Sequence, residues 1–166
     1  MATKNRHLRG ATNDITLPVH GNIVVEKGDF IVENKTASTM TSYSTADSYG
    51  FPVSSLINTS AYYYALQFAG VAMTGSISGV TNNIFVATSG QFRYPLAASS
   101  SVSTGMIVNG ATSAYTSAYD QKVTCWSTSG VSSVIGRCIK TATSPQTDCD
   151  FQLITRYSGV SYQDLV

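Results

Sequence analysis

Short apolar runs alternate along this chain with breaks rich in Gly, Pro, Ser and Thr, and no window of about eleven residues holds an uninterrupted helical period. Asn22-Ile23-Val24-Val25, the corner Glu26-Lys27-Gly28-Asp29 and the run Phe30-Ile31-Val32-Glu33 predict a strand, a Gly-Asp turn and a second strand. Strand-compatible residues return over 66–73, Gly75 and Gly79 mark turns, and Ile84-Phe85-Val86 resumes a strand that Gly90 separates from the next piece, ending near Leu96. The last third predicts three more strands, over 122–126, 134–140 and 150–157. In the last of them Phe151, Leu153 and Thr155 alternate with Gln152, Ile154 and Arg156, which places one face on a core and leaves the other partly exposed. About seven to nine short strands separated by turn signals predict an all-β fold, a small β-barrel or sandwich.

Three stretches lack this pattern. Residues 1–20 are polar and basic and close on Leu17-Pro18, so they read as an extended N-terminal arm ahead of a single domain over 21–166. Residues 34–65 and 97–121 read as two long loop excursions dominated by Ser, Thr and Tyr, the first interrupted by Gly50 and Pro52 and carrying one short strand near 51–56. The second holds a tandem repeat, Thr112-Ser113-Ala114-Tyr115 and Thr116-Ser117-Ala118-Tyr119, too short to signal a solenoid.

Composition narrows the role of such a fold. At 166 residues the chain is long enough to bury roughly 70% of its unfolded surface without disulfide or metal staples. Charged residues make up 11% of it, well under the about 25% of ordinary soluble domains. Hydroxyl, amide and Tyr side chains take their place, a composition that lets another protein approach at low desolvation cost. A formal net charge of +1 gives little attraction to phosphate and argues against nucleic acid as the main partner. No apolar run of membrane-spanning or signal-peptide length occurs, so neither secretion by that route nor a membrane partner is expected. Cys125, Cys138 and Cys149 fit no zinc or C-x-x-C spacing; they predict free, mostly buried thiols in a protein made in a reducing cytoplasm.

The residues that carry chemistry are sparse. His7 and His20 lie in or beside the arm, where a flexible imidazole makes a poor acid or base. Asp148 with Asp150, and Glu26 with Asp29, are the closest carboxylate pairs, but turn formation and edge protection account for them, and the repeated acidic ligands of a calcium loop are missing. Asp148 follows Ser144-Pro145-Gln146-Thr147 and is expected in a loop. No enzyme activity, cofactor or metal is therefore predicted. Tyr62, Tyr63, Tyr64, Tyr115 and Tyr119 sit among small residues, where rigid amphipathic rings offer contact area at low entropic cost, and are candidate interface residues.

Several segments, in order, resemble the capsid decoration (cement) proteins of tailed bacteriophages. They are Gly28-Asp29-Phe30-Ile31, Phe68-Ala69-Gly70-Val71-Ala72, Ile84-Phe85-Val86 with Gly90-Gln91-Phe92-Arg93-Tyr94-Pro95, Val134-Ile135-Gly136-Arg137 and Phe151-Gln152-Leu153-Ile154. The longer arm and the two Ser/Thr/Tyr-rich expansions depart from the compact members of that family. The resemblance implies a β-barrel that forms a homotrimer and binds the major capsid protein on the outer surface of the assembled head. Lys4, Arg6 and Arg9 of the arm would then meet acidic patches of the shell. The alternative from another class is a receptor- or carbohydrate-binding β-module of a phage tail or fibre.

Overall fold

A computed structural model describes residues 6–9, 12–34, 49–52, 68–113, 117–127 and 134–158. The fold is all-β, as the alternation predicts, with eleven strands among these residues. They are β1 (Arg6–Arg9), β2 (Asp14–Val19), β3 (Phe30–Asn34), β4 (Tyr49–Pro52), β5 (Phe68–Ala72), β6 (Asn82–Ala87), β7 (Gln91–Val102), β8 (Ile107–Ser113), β9 (Ser117–Trp126), β10 (Val134–Cys138) and β11 (Ala142–Leu153).

Five strands close a barrel in the order β7-β11-β10-β8-β9, and β1 adds to it alongside the first residues of β7. Every pairing is antiparallel except the one that closes the ring, where β7 and β9 run parallel and Leu96 meets Val123. The second sheet, β2-β6-β5-β3-β4, curls into a half-barrel whose two edges approach: a side-chain carbon added at Gly50 on β4 would lie 3.3 Å from Cβ of Leu17 on β2.

One apolar cluster joins the two sheets. At its centre Phe30 of β3 stacks on Tyr94 of β7 with ring centroids 4.6 Å apart, Phe68 of β5 meets Phe30 edge-on, and Phe151 of β11 lies 5.8 Å from Tyr94. Aromatic pairs in these geometries stabilise by about 0.5–1.5 kcal/mol beyond the area they bury. The alternation along β11, with Cys149, Phe151 and Leu153 buried and their neighbours partly exposed, is the two-residue period of a half-buried strand.

The Gly-Asp corner forms where the sequence predicts it, and it links the sheets. Asp29 Oδ2 accepts the Glu26 amide at 2.7 Å, its Oδ1 accepts the Gln121 side-chain amide from β9 at 2.7 Å, and the Tyr94 hydroxyl donates to the Gly28 carbonyl at 2.5 Å. Gly28 has a φ of 97°, which side chains other than glycine adopt only at a cost.

Four expectations are corrected. Residues 14–19, expected in the arm, form β2 in register with β6, and Leu17 and Val19 enter the core; the folded chain starts before residue 20. Residues 22–25 form no strand: the Val25 amide donates to Ser76 Oγ and the Val25 carbonyl accepts the Ser76 amide, so the partner is a loop and not a ladder. Much of 97–121, expected as a loop, lies in β7, β8 and β9, where Thr and other small residues fit a barrel wall. The final strand is Ala142–Leu153 and not 150–157, so Asp148 lies in a strand.

Proline accounts for two of these differences, in β2 and in β11. All four prolines lie in strands, each at a place that needs no ladder donor. Pro18 and Pro52 are on β2 and β4, the edges of the second sheet. Pro145 falls between residues where the β11–β7 register shifts. Pro95 pairs with Asp148 of β11 beside a register shift, after the β1 pairing ends at Arg93 and before the β9 pairing at Leu96.

Candidate binding surface

The most exposed apolar side chains of the described surface gather on a double loop beside the second sheet. Residues 21–25 and 75–80 are zipped together by the Gly79 amide donating to the Gly21 carbonyl at 2.9 Å, the Ser76 amide to the Val25 carbonyl at 2.9 Å, and Ser76 Oγ to the Ile23 carbonyl at 3.1 Å. The approach is close enough that a side-chain carbon at Gly21 would lie 2.7 Å from the Val80 nitrogen. Ile23 and Val25 point into the core while Val24, Ile77 and Val80 are 56%, 64% and 56% exposed. Asn82 Oδ1 accepts the Ile77 amide at 3.1 Å, and Thr74 Oγ1 accepts the amide of Phe85, a further exposed ring on β6. A rigid platform of branched apolar groups stays out of water only when something covers it.

The signal for this platform is present in the sequence and differs from the tyrosine pattern. Between Asp47 and Arg93 the chain has no charged side chain, and within that stretch Ile77 and Val80 occupy a turn region flanked by Gly75 and Gly79, where polar residues are the rule.

The candidate residues named from sequence are placed as follows. Arg6 and Arg9 lie on β1, paired with Arg93 and Gln91 of β7, so the basic segment is an edge strand of the barrel sheet. Tyr119 lies on β9. Lys4, Tyr62, Tyr63, Tyr64 and Tyr115 lie outside the described residues.

The carboxylates serve the framework. Asp150 of β11 sits opposite Arg93 of β7 and receives its guanidinium at 2.5 and 2.6 Å, an arrangement that raises the Arg93 pKa chiefly through that hydrogen bond. Both Asp150 oxygens are thus engaged by one guanidinium, a bidentate pairing that ties β7 to β11. Arg93, Asp148 and Asp150, with Lys140 and Gln146, border a cavity of about 120 Å³, into which the buried Oδ1 of Asp148 brings no hydrogen-bond partner. Glu33 is buried at the foot of β3 and takes the Tyr157 hydroxyl and the Arg156 guanidinium, pinning the turn after β11 to the second sheet. Among the described residues no group of three or more His, Cys, Asp or Glu is placed to hold a metal ion.

His7 of β1 packs on Phe92 with ring centroids 5.4 Å apart, and with Lys27 and Met73 it borders a cleft of about 260 Å³ at the seam of the two sheets. All three cysteines are free, Cys138 and Cys149 buried and Cys125 partly exposed. The Cys125 and Cys149 sulfurs lie 3.3 Å apart, and contact with Cys125 and Cys138 together with burial holds the Cys149 thiol well above its ordinary pKa. Among the described residues no helix is long and apolar enough to cross a membrane. No family model, no curated protein and no solved structure matches the chain.

Proposed function

We propose that this chain is a decoration protein of a tailed-phage head, which binds the outside of the assembled shell as a trimer and stabilises it by bridging capsomers. The observation that carries the reading is the apolar double loop, with Val24, Ile77 and Val80 each more than half exposed on a backbone clamped by hydrogen bonds. Burying such side chains on a partner gains about 1.5–3 kcal/mol each at most, and a pre-ordered loop loses little entropy in doing so. The low charge of the surrounding chain and the ordered set of segments that resemble the decoration family support the same reading.

The mechanism requires no reaction. A protein that binds the assembled lattice and not its free subunits stabilises the lattice by its binding free energy. Linking three copies multiplies weak contacts through effective concentration. A map of purified virions at side-chain resolution tests this: density for the barrel on the outer surface, with the double loop against the capsid, is the expected result. A shell without it overturns the reading. Light scattering tests the trimer, with a mass of three 17.6 kDa chains expected and a monomer at tens of micromolar against it.

Trp126 favours the second reading, a carbohydrate-binding module of a tail or fibre. Its indole is 51% exposed at the end of β9, with a 3.2 Å bond from Nε1 to Thr124 Oγ1. A flat exposed ring of this kind suits stacking on a sugar face. Binding of the isolated protein to a glycan array, abolished by Trp126→Ala, would select this reading over the first.

A further inference from the structure

We propose that Cys125 and Cys149 are a redox-active pair that closes, under a peroxide, into an intrachain disulfide locking the seam of the barrel. The two sulfurs are 3.3 Å apart, and closure to the about 2.05 Å of a disulfide draws the two strands toward each other. Cys149 lies on β11 and Cys125 on β9, strands that are not neighbours but flank β7 on its two sides. The β7–β9 side of that trio is the barrel's one parallel closure, Leu96 against Val123, whereas β7 and β11 are paired along most of their length. A bond between Cys125 and Cys149 would therefore span the part of the barrel held by the fewest ladder contacts.

Access sets the order of events. Cys125 is partly exposed and Cys149 is fully buried, so the oxidant meets Cys125 first. The Cys125 thiol and hydrogen peroxide give a sulfenic acid and water. The Cys149 sulfur then displaces hydroxide from the sulfenic sulfur, and the Cys149 proton leaves with that hydroxide as a second water. Two thiols are oxidised by two electrons and one peroxide is reduced to two waters. Cys138 is the rival partner, since its thiol also contacts Cys149, but it is buried and its sulfur is held 3.0 Å from the Lys140 carbonyl oxygen, whereas Cys125 is the partly exposed thiol that the oxidant reaches. A thiol-reducing agent reverses the bond.

The bond would close a loop between positions 24 apart, and loops of that size raise melting temperature by about 5–10 °C in a chain of this length. The test treats the reduced protein with hydrogen peroxide and follows free thiols, peptide linkage by tandem mass spectrometry and thermal melting. Loss of two thiols, a Cys125–Cys149 linked peptide and a higher melting temperature reversed by dithiothreitol are expected. Cys138→Ser should retain all three changes, and Cys125→Ser should lose them. Linkage through Cys138, sulfinic acid at Cys125 without any link, or a link that leaves the melting temperature unchanged would overturn the proposal. The wild-type map and melt decide the matter even where a variant fails to fold.

Discussion

Tyr94 on β7 donates its phenol proton to the backbone carbonyl of Gly28 at 2.5 Å, joining the barrel to the half-barrel across 66 positions of sequence. The same ring stacks on Phe30, so one side chain supplies both an apolar contact and a polar tie at the sheet junction. Tyr94→Phe keeps the ring and leaves a buried carbonyl without this donor. Such a loss costs about 1–3 kcal/mol, read as a lower urea midpoint with an unchanged slope. A change below about 0.5 kcal/mol would mean that the carbonyl finds water in the folded state.

Alkali should weaken the fold through two tyrosines. Burial, then the hydrogen bond to Glu33, pushes the Tyr157 phenol up to about 12, and burial with the nearby Asp29 carboxylate pushes Tyr94 well above its usual value. In the unfolded chain tyrosine ionises near pH 10. The protonated forms therefore contribute their full stability below about pH 10; the Tyr157 contribution is lost as pH rises through about 12, and that of Tyr94 as pH rises through its own raised value. Denaturation midpoints measured from pH 9 to 12 should fall, and less steeply in Tyr157→Phe. Absorbance at 295 nm should show phenol ionisation that continues well above the pH near 10 at which tyrosine ionises in the unfolded chain.

Deleting residues 1–20 separates the sequence reading from the structural one. The polar composition and Pro18 make the segment look removable, whereas β2 is a six-residue edge strand that places Leu17 and Val19 in the core. Losing two such side chains costs about 3–6 kcal/mol, a large share of a domain's usual 5–15. The truncated protein should be unfolded or melt far below the full chain by circular dichroism. Equal melting would return the domain boundary to residue 20.

Gly136 gives a further probe of the barrel. A side-chain carbon there would lie 2.3 Å from the Gln152 carbonyl oxygen and 2.6 Å from the Phe151 ring. Gly136→Ala should cost about 1–3 kcal/mol by overpacking, measured as the shift in denaturation midpoint. Phe151→Leu in the same background should recover part of the loss that the ring contact causes.

Much of the fold is legible wherever local and long-range signals agree. Gly28 and Asp29 mark a turn by chemistry alone, Gly90 separates β6 from β7, and the period over Phe151 and Leu153 matches the buried face of β11. Legibility fails where a residue's meaning depends on its place in a sheet. A proline reads as a break until its strand is known to lie at an edge, as for Pro18 and Pro52. Ile23 and Val25 alternate with Val24 as in a strand, yet a serine loop satisfies their backbone. The Ser/Ala-rich run after Leu96 carries little apolar period because its residues up to Ser101 are mostly exposed, and pairing with β11 holds it in the strand. The exposed apolar double loop is hidden in the sequence for a related reason: the exposure of Ile77 and Val80 follows from the zipping of two loops distant in sequence.

The proposed function, in which the double loop docks the protein on an assembled shell, is tested by co-sedimentation with emptied, expanded heads of tailed phages. Wild type is compared with the triple variant Val24→Ser, Ile77→Ser, Val80→Ser. Exposed positions tolerate such changes within about 0.5 kcal/mol each, so both proteins should melt alike. Removing about 1 kcal/mol of contact at each of three sites should weaken binding roughly a hundredfold per protomer, and wild type should saturate the heads. Failure of the wild type to sediment with the heads, or saturation by the triple variant at the wild-type concentration, would contradict the account.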